Sequence, residues 1–130
     1  MILPMLKAKL HRLKVTQADL NYVGSITLDQ DLLDVSGIRP YELVTITNTE
    51  NGAFWQTYVI AGPKGSGTVC LNGSSARWFS PGDVIIVMAY NYYSEDELED
   101  GYRPKIVFVD DKNAVTRVMV DEEPFTAFHP

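Results

Sequence analysis

The sequence is poor in the side chains that bind metals or form crosslinks. Cys70 is its only cysteine, and His11 and His129 are its only histidines in 130 residues. A single cysteine excludes an intrachain disulfide and every cysteine-based metal centre. Two distant histidines, with no His-x-x-x-His pair, leave no basis for a catalytic zinc site. Cys70 lies between Val69 and Leu71 and reads as a buried strand thiol, not a nucleophile. No apolar run approaches the ~20 residues of a membrane span. Residues 1–14 mix basic with apolar side chains and lack the continuous apolar stretch of a signal peptide. A cytoplasmic protein with no membrane partner is expected. Positive charge is also scarce, with 11 Lys and Arg against 17 Asp and Glu and a net charge of −6. That opposes a nucleic-acid partner, whose binding surface carries a basic excess.

What is present fits one domain, residues 1–130, with 45% hydrophobic residues to fill a core. Strand signals dominate. Residues 44–47 alternate with period two, and 54–60 follow them across Asn51-Gly52, a strong hairpin signal. Residues 68–71, 105–110 and 116–120 are further short strands. The continuous apolar run at 83–90 reads as a strand covered on both faces. Helices are few. Residues 30–36 make one, with Asp29 as N-cap and Gly37 as the stop, and 94–99 make a turn or two. Many short strands between turn signals indicate a small β-barrel or sandwich, and pattern alone leaves the two open.

Charge is uneven. Lys7, Lys9, His11, Arg12 and Lys14 crowd the start, and residues 95–100 are nearly all acidic. The basic cluster suits either a solvated face or a small anionic ligand. The glycine-rich stretch from Gly62 to Gly67 lacks Walker spacing and leads into a strand, so a mobile loop is expected in place of a phosphate cradle. Ser25, His11 and Asp19 or Asp29 supply the residue types of a serine hydrolase, but such types occur by chance in most chains.

The first third is more specific. It contains Lys9-Leu10-His11-Arg12, then Val15-Thr16-Gln17-Ala18-Asp19-Leu20-Asn21-Tyr22-Val23-Gly24-Ser25, then Asp29-Gln30-Asp31-Leu32-Leu33-Asp34. Asn51-Gly52, Thr57-Tyr58, Asn72-Gly73 and Pro81-Gly82-Asp83 follow in order. This set resembles the pyruvoyl-dependent aspartate 1-decarboxylases as far as about Val109. The resemblance implies a mainly β fold, a double-psi β-barrel with a few short helices, assembled as a homotetramer with active sites between subunits. It implies self-cleavage between Gly24 and Ser25, giving chains 1–24 and 25–130. It also implies a pyruvoyl cofactor derived from Ser25 that forms a Schiff base with an amino-acid substrate. In this reading Thr57 assists processing and Tyr58 is the proton donor. Lys9 holds a substrate carboxylate, with His11 and Tyr22 close by, and Thr57, Asn72, Gly73, Ser74 and Ser75 line the substrate site. Glycine before the serine tolerates unusual dihedrals and leaves the attacked carbonyl unhindered.

Two positions depart from the family pattern. Phe54 stands where these enzymes carry an arginine that holds a carboxylate, and Arg77 ends the Asn72-Gly73-Ser74-Ser75-Ala76 stretch where they have histidine. Decarboxylation of L-aspartate to β-alanine is the leading expectation. The same chemistry on a less acidic amino acid is the alternative, because phenylalanine offers no charge-assisted bonds. A barrel acting only as a binding or regulatory module is the reading of another class. Retention of Tyr58 and Lys9 opposes it, since binding alone needs no proton donor.

Overall fold

Lys7, Ala8, Lys9, Leu10 and His11 alternate polar and apolar, and they lie on a strand that begins the fold. In the computed structural model, which describes residues 1–125, strand β1 spans Ile2–Lys14. Ala8 and Leu10 are fully buried while their neighbours face outward. Leu13 is buried too, although it is an odd number of residues from Leu10. A register shift between Leu10 and Leu13 resolves this. Arg12 adopts a φ of 63° there, so the bulge re-aims the strand and returns an apolar residue to the core.

The remaining elements are β2 (Gln17–Asp19), β3 (Ser25–Asp29), α1 (Gln30–Ser36), β4 (Leu43–Asn48) and β5 (Phe54–Gly62), then β6 (Val69–Asn72), a 3₁₀ turn (Ser74–Trp78), β7 (Val84–Ser94), α2 (Glu95–Glu99), β8 (Lys105–Val109) and β9 (Val115–Val120). The chain is mainly β, as expected. Both expected helices form, with Asp29 capping α1 and Gly37 ending it at a φ of 77°. Ser94 and Glu97 close a capping box on α2. The hairpin at Asn51-Gly52 joins β4 to β5 in antiparallel pairing. β1, β2 and β3 are strands beyond those expected from the sequence. The run at 83–90 differs in another way. From Val84 to Ala89 the even-numbered positions are partly open and the odd ones buried, and Tyr90 is exposed, so one face alone is covered within the chain.

The strands form one nine-stranded sheet in the order β2-β6-β3-β5-β4-β7-β1-β8-β9. β1 and β2 are joined by Val15 and Thr16 alone, a span of roughly 11 Å at most. Flat, six strand spacings would separate them by roughly 29 Å. The sheet therefore curls in a barrel-like manner, and Thr16 N donates to Val69 O (2.8 Å) while Val15 N donates to Asp83 O (2.9 Å) at the junction. Leu10, Leu13, Ile26, Leu28, Ile46, Val59, Leu71, Ile85 and Val87 fill the enclosed space, with Leu32 of α1. No helix among the described residues is long and apolar enough to cross a membrane.

Asp29 anchors the far end of β3. Its Oδ1 accepts from Asp31 N (2.8 Å) and Gly65 N (2.9 Å), and its Oδ2 accepts from Gly67 N (2.8 Å). The stretch from Gly62 to Gly67, expected as a mobile loop, is thus tied to a buried carboxylate by its own backbone. Burial pushes the Asp29 carboxyl up, but the three N–H groups and nearby Lys64 outweigh it and hold it below its ordinary value. A depressed carboxyl contributes stability above the unfolded value of about 3.9 and loses it as pH falls through the folded value. Asp29→Ala is expected to cost about 2–4 kcal/mol, from a lost cap and two further charged hydrogen bonds. Urea titrations at pH 7 and below pH ~4 check this, because the gap between variant and wild type should shrink in acid.

Candidate active site

Ser25 opens β3 with a φ of 146°, a conformation that costs a residue with a Cβ roughly 1–3 kcal/mol. The residue is 2% exposed. Gly24 was expected to tolerate unusual dihedrals, yet it has no positive φ and the unusual dihedral lies on the serine itself. A Cβ at Gly24 would meet only Asn72 O, at 4.0 Å, so its carbonyl is left room.

Partners reach Ser25 from both sides of β3. On one side β6 pairs antiparallel, with Ser25 opposite Asn72. Asn72 Nδ2 donates to Ser25 Oγ (3.0 Å) and to Thr27 Oγ1 (3.1 Å). The Cys70 thiol donates to Asn72 Oδ1 (3.0 Å), which turns the amide nitrogen toward the two hydroxyls. Burial and Asp19 both push the Cys70 thiol up, so it stays protonated and able to donate. Cys70 is buried, as expected, but it also orients the group that touches Ser25. Gly73 follows with a φ of 84°, and a Cβ there would lie 2.9 Å from Gly24 Cα and 3.6 Å from Tyr22 O. Only glycine fits against Gly24 from that side. Ser74 begins the 3₁₀ turn Ser74–Trp78 just beyond, and Ser75 follows it.

On the other side β5 pairs parallel, with Ile26 opposite Val59. One step back along that register places Tyr58 level with Ser25 and Thr57 level with Gly24. Strand parity then separates the two. Ile26 and Val59 point into the core. Ser25, Thr27, Cys70, Asn72 and Tyr58 therefore share the opposite face, and the hydrogen bonds above agree with it. Tyr58 is not the core residue its place beside Val59 allowed. It is half-buried and stacks on Tyr41, with ring centroids 6.0 Å apart and planes at 19°. Thr57 turns inward and is buried. Phe54 lies on the Tyr58 face and is 67% exposed. Tyr22 is also exposed.

Lys9 and His11 stand elsewhere. β1 is separated from β3 by β7, β4 and β5 in the sheet order. Lys9 Nζ pairs with Glu122 Oε1 at 3.0 Å, and the His11 ring packs edge-on against Phe108 at 5.5 Å. Burial, then Lys9 and Arg12, push the His11 imidazole below its ordinary value, against the pull of Glu122. Lys7 is paired with Glu42 at 2.8 Å, so two of the five basic-cluster residues, Lys7 and Lys9, are engaged in ion pairs.

The expected residues thus fall into two sets. Tyr22, Gly24, Ser25, Tyr58, Asn72 and Gly73 gather around the 24–25 bond, with Thr57 behind. Lys9 and His11 form a second set on β1. Sequence reasoning missed Tyr41, Thr27 and the orienting part of Cys70. Nothing local marks Tyr41, whereas the alternation of Cys70 with Asn72 on a short strand was a usable sign that both face one way.

Residues 1–116 match the family model described as aspartate decarboxylase. An aspartate 1-decarboxylase of Neisseria meningitidis serogroup C is 52% identical over 122 residues, 94% of this chain and 95% of the relative. That of Leptospira biflexa is 50% identical over 113 residues, 87% of this chain and 96% of the relative. That of Moorella thermoacetica is 48% identical over 120 residues, 92% and 93% of the two chains.

Proposed function

The chain belongs to the aspartate decarboxylase family, and on that premise we propose that it is a self-processing, pyruvoyl-dependent α-decarboxylase of L-aspartate. The observation that carries this reading is Ser25, buried at a strained φ with its Oγ held by Asn72 beside a glycine packed on Gly73. Its Oγ attacks the Gly24 carbonyl carbon, and the C–N bond breaks to give an ester and a free amine at residue 25. Loss of the α-proton and cleavage of the Cβ–O bond leave a carboxylate on Gly24 and a dehydroalanine at residue 25. Water then releases ammonia and leaves a ketone. Asn72 donates into one lone pair of the attacking oxygen, which orients the other toward the carbonyl. Release of the backbone strain at Ser25 favours the first step.

A pyruvoyl group at residue 25 would supply an electrophilic carbonyl for the substrate amine and a sink for the electron pair left as CO2 departs. The residues present fit that group, since Asn72, Thr27 and Gly73 surround its place without a charged side chain. Tyr58, level with residue 25 and on the same face, carries the proton that returns to the α-carbon. Its stacking on Tyr41 limits the rotamers of the phenol. Asn72, Gly73 and Ser74 line the substrate place on the β6 side. Lys9 binds the side-chain carboxylate, and His11, held neutral, sits beside it. Because Lys9 and His11 are remote from Ser25 in sheet order, a neighbouring copy supplies them. The working form in this reading is a cytoplasmic homotetramer with sites between subunits.

Phe54 favours a second reading, in which a less acidic amino acid is the substrate. It presents an exposed ring, with no charge, on the face that carries Tyr58. The test is kcat/KM for aspartate and for a panel of neutral amino acids, measured by CO2 release in wild type and Phe54→Arg. If a second cation is wanting, the variant gains about ten- to a hundred-fold on aspartate, the worth of one charge-assisted bond. It loses on neutral substrates, where the guanidinium lacks a partner. Efficient aspartate turnover by wild type, with neutral amino acids rejected, removes the second reading.

A further inference from the structure

Asp121 and Glu122, which follow β9, turn back toward β1, outside the 1–116 span shared with the family. Asp121 takes a φ of 65°, its N–H donates to Pro104 O at 3.2 Å, and its carboxylate pairs with Arg103 at 2.8 Å. This pinned turn sends Glu122 back across β8. Lys9 is opposite Ile106 on β8, and Ile106 is opposite Met119 on β9, so the reversal brings residue 122 above Lys9. Glu122 Oε1 lies 3.0 Å from Lys9 Nζ, with the lysine side chain 21% exposed and the glutamate 49%. The same carboxylate raises the His11 imidazole electrostatically, against the larger effects of burial, Lys9 and Arg12.

A glutamate carboxylate and the side-chain carboxylate of an acidic amino acid are the same chemical group. We propose that Glu122 is a tethered competitor that holds the substrate-carboxylate place on Lys9 and is displaced when an acidic substrate binds. This rests on the reading of Lys9 given above. A tethered group competes at a high effective concentration without leaving the molecule. Its half-exposed position lets it exchange with solvent and substrate. The contact therefore weakens binding of acidic ligands and is itself weakened by salt.

The probe is succinate, which has the two carboxylates and no amine to react. Its Kd is measured by calorimetry on full-length Ser25→Ala protein, so that no processing or turnover intervenes, with the ring signals of His11 followed by NMR. Adding Glu122→Gln should tighten succinate binding about two- to five-fold, the size of a partly exposed ion pair, and shift the His11 titration downward. Adding Lys9→Met should weaken binding and abolish the gain from Glu122→Gln. If Lys9→Met weakens succinate binding but Glu122→Gln leaves it unchanged, the competitor proposal is overturned and the reading of Lys9 stands. If Lys9→Met binds succinate as well as its parent, the reading of Lys9 fails and the proposal fails with it. Melting curves of the Glu122→Gln protein exclude a folding defect, since the residue is at the surface.

Discussion

Ser25→Ala protein is expected to remain a single chain after prolonged warm incubation and to release no CO2 from any amino acid, whereas wild type should yield fragments 1–24 and 25–130. The alanine has no oxygen to attack the Gly24 carbonyl, and no other hydroxyl shares the strand position opposite Asn72. Thr27 is the nearest alternative, because Asn72 Nδ2 also donates to its Oγ1 at 3.1 Å. It lies two residues on, however, beyond reach of the same peptide bond. The wild-type fragment 25–130 should carry a ketone and no free amine, which intact mass and carbonyl labelling both read. The side chain lost is small, so the variant should fold, and circular dichroism checks it. Intact wild-type mass after the same incubation would falsify self-processing.

Tyr58→Phe separates turnover from processing. The ring, its stack on Tyr41 and its strand position are kept, and only the hydroxyl is lost. Cleavage at residue 25 should proceed as in wild type. kcat should fall about 10²- to 10⁴-fold, the usual cost of losing a general acid, with KM for aspartate little changed. Tyr41→Ala is the companion variant. It frees the phenol without removing it, so a smaller loss in kcat is expected. A fully cleaved Tyr58→Phe enzyme with undiminished kcat would take the tyrosine out of the mechanism, and the proton would have to come from another group on that face.

How much of this was legible beforehand differs from element to element. The caps of α1 and α2 and the Asn51-Gly52 hairpin were readable because a few adjacent residues decide them. Lys7 to His11 of β1 alternate cleanly, but their polar positions are basic, so the same pattern also fits a charged surface segment. The bulge at Arg12 then breaks the parity that would have linked Leu10 to Leu13. β7 was misjudged in its surroundings, since an apolar run states that a strand wants cover and not whether its own chain supplies it.

The site divides in the same way. The ordered residues around Gly24-Ser25 were sufficient to point to the family, since a linear motif is a property of the chain. Strand neighbours are not. Period two assigns a residue to a face but does not name the strand beside it. Only the long-range pairing of β3 with β6 and β5 brings Cys70 and Asn72 to one side of Ser25 and Tyr58 to the other. It is likewise tertiary structure that moves the strain from Gly24 to Ser25, turns Thr57 inward and Tyr58 outward, and sets Lys9 and His11 apart. The contact between Lys9 and Glu122 spans 113 residues, and no local signal could announce it. Turns and caps are settled by neighbours in sequence, whereas register and curl are settled when distant apolar faces are buried together.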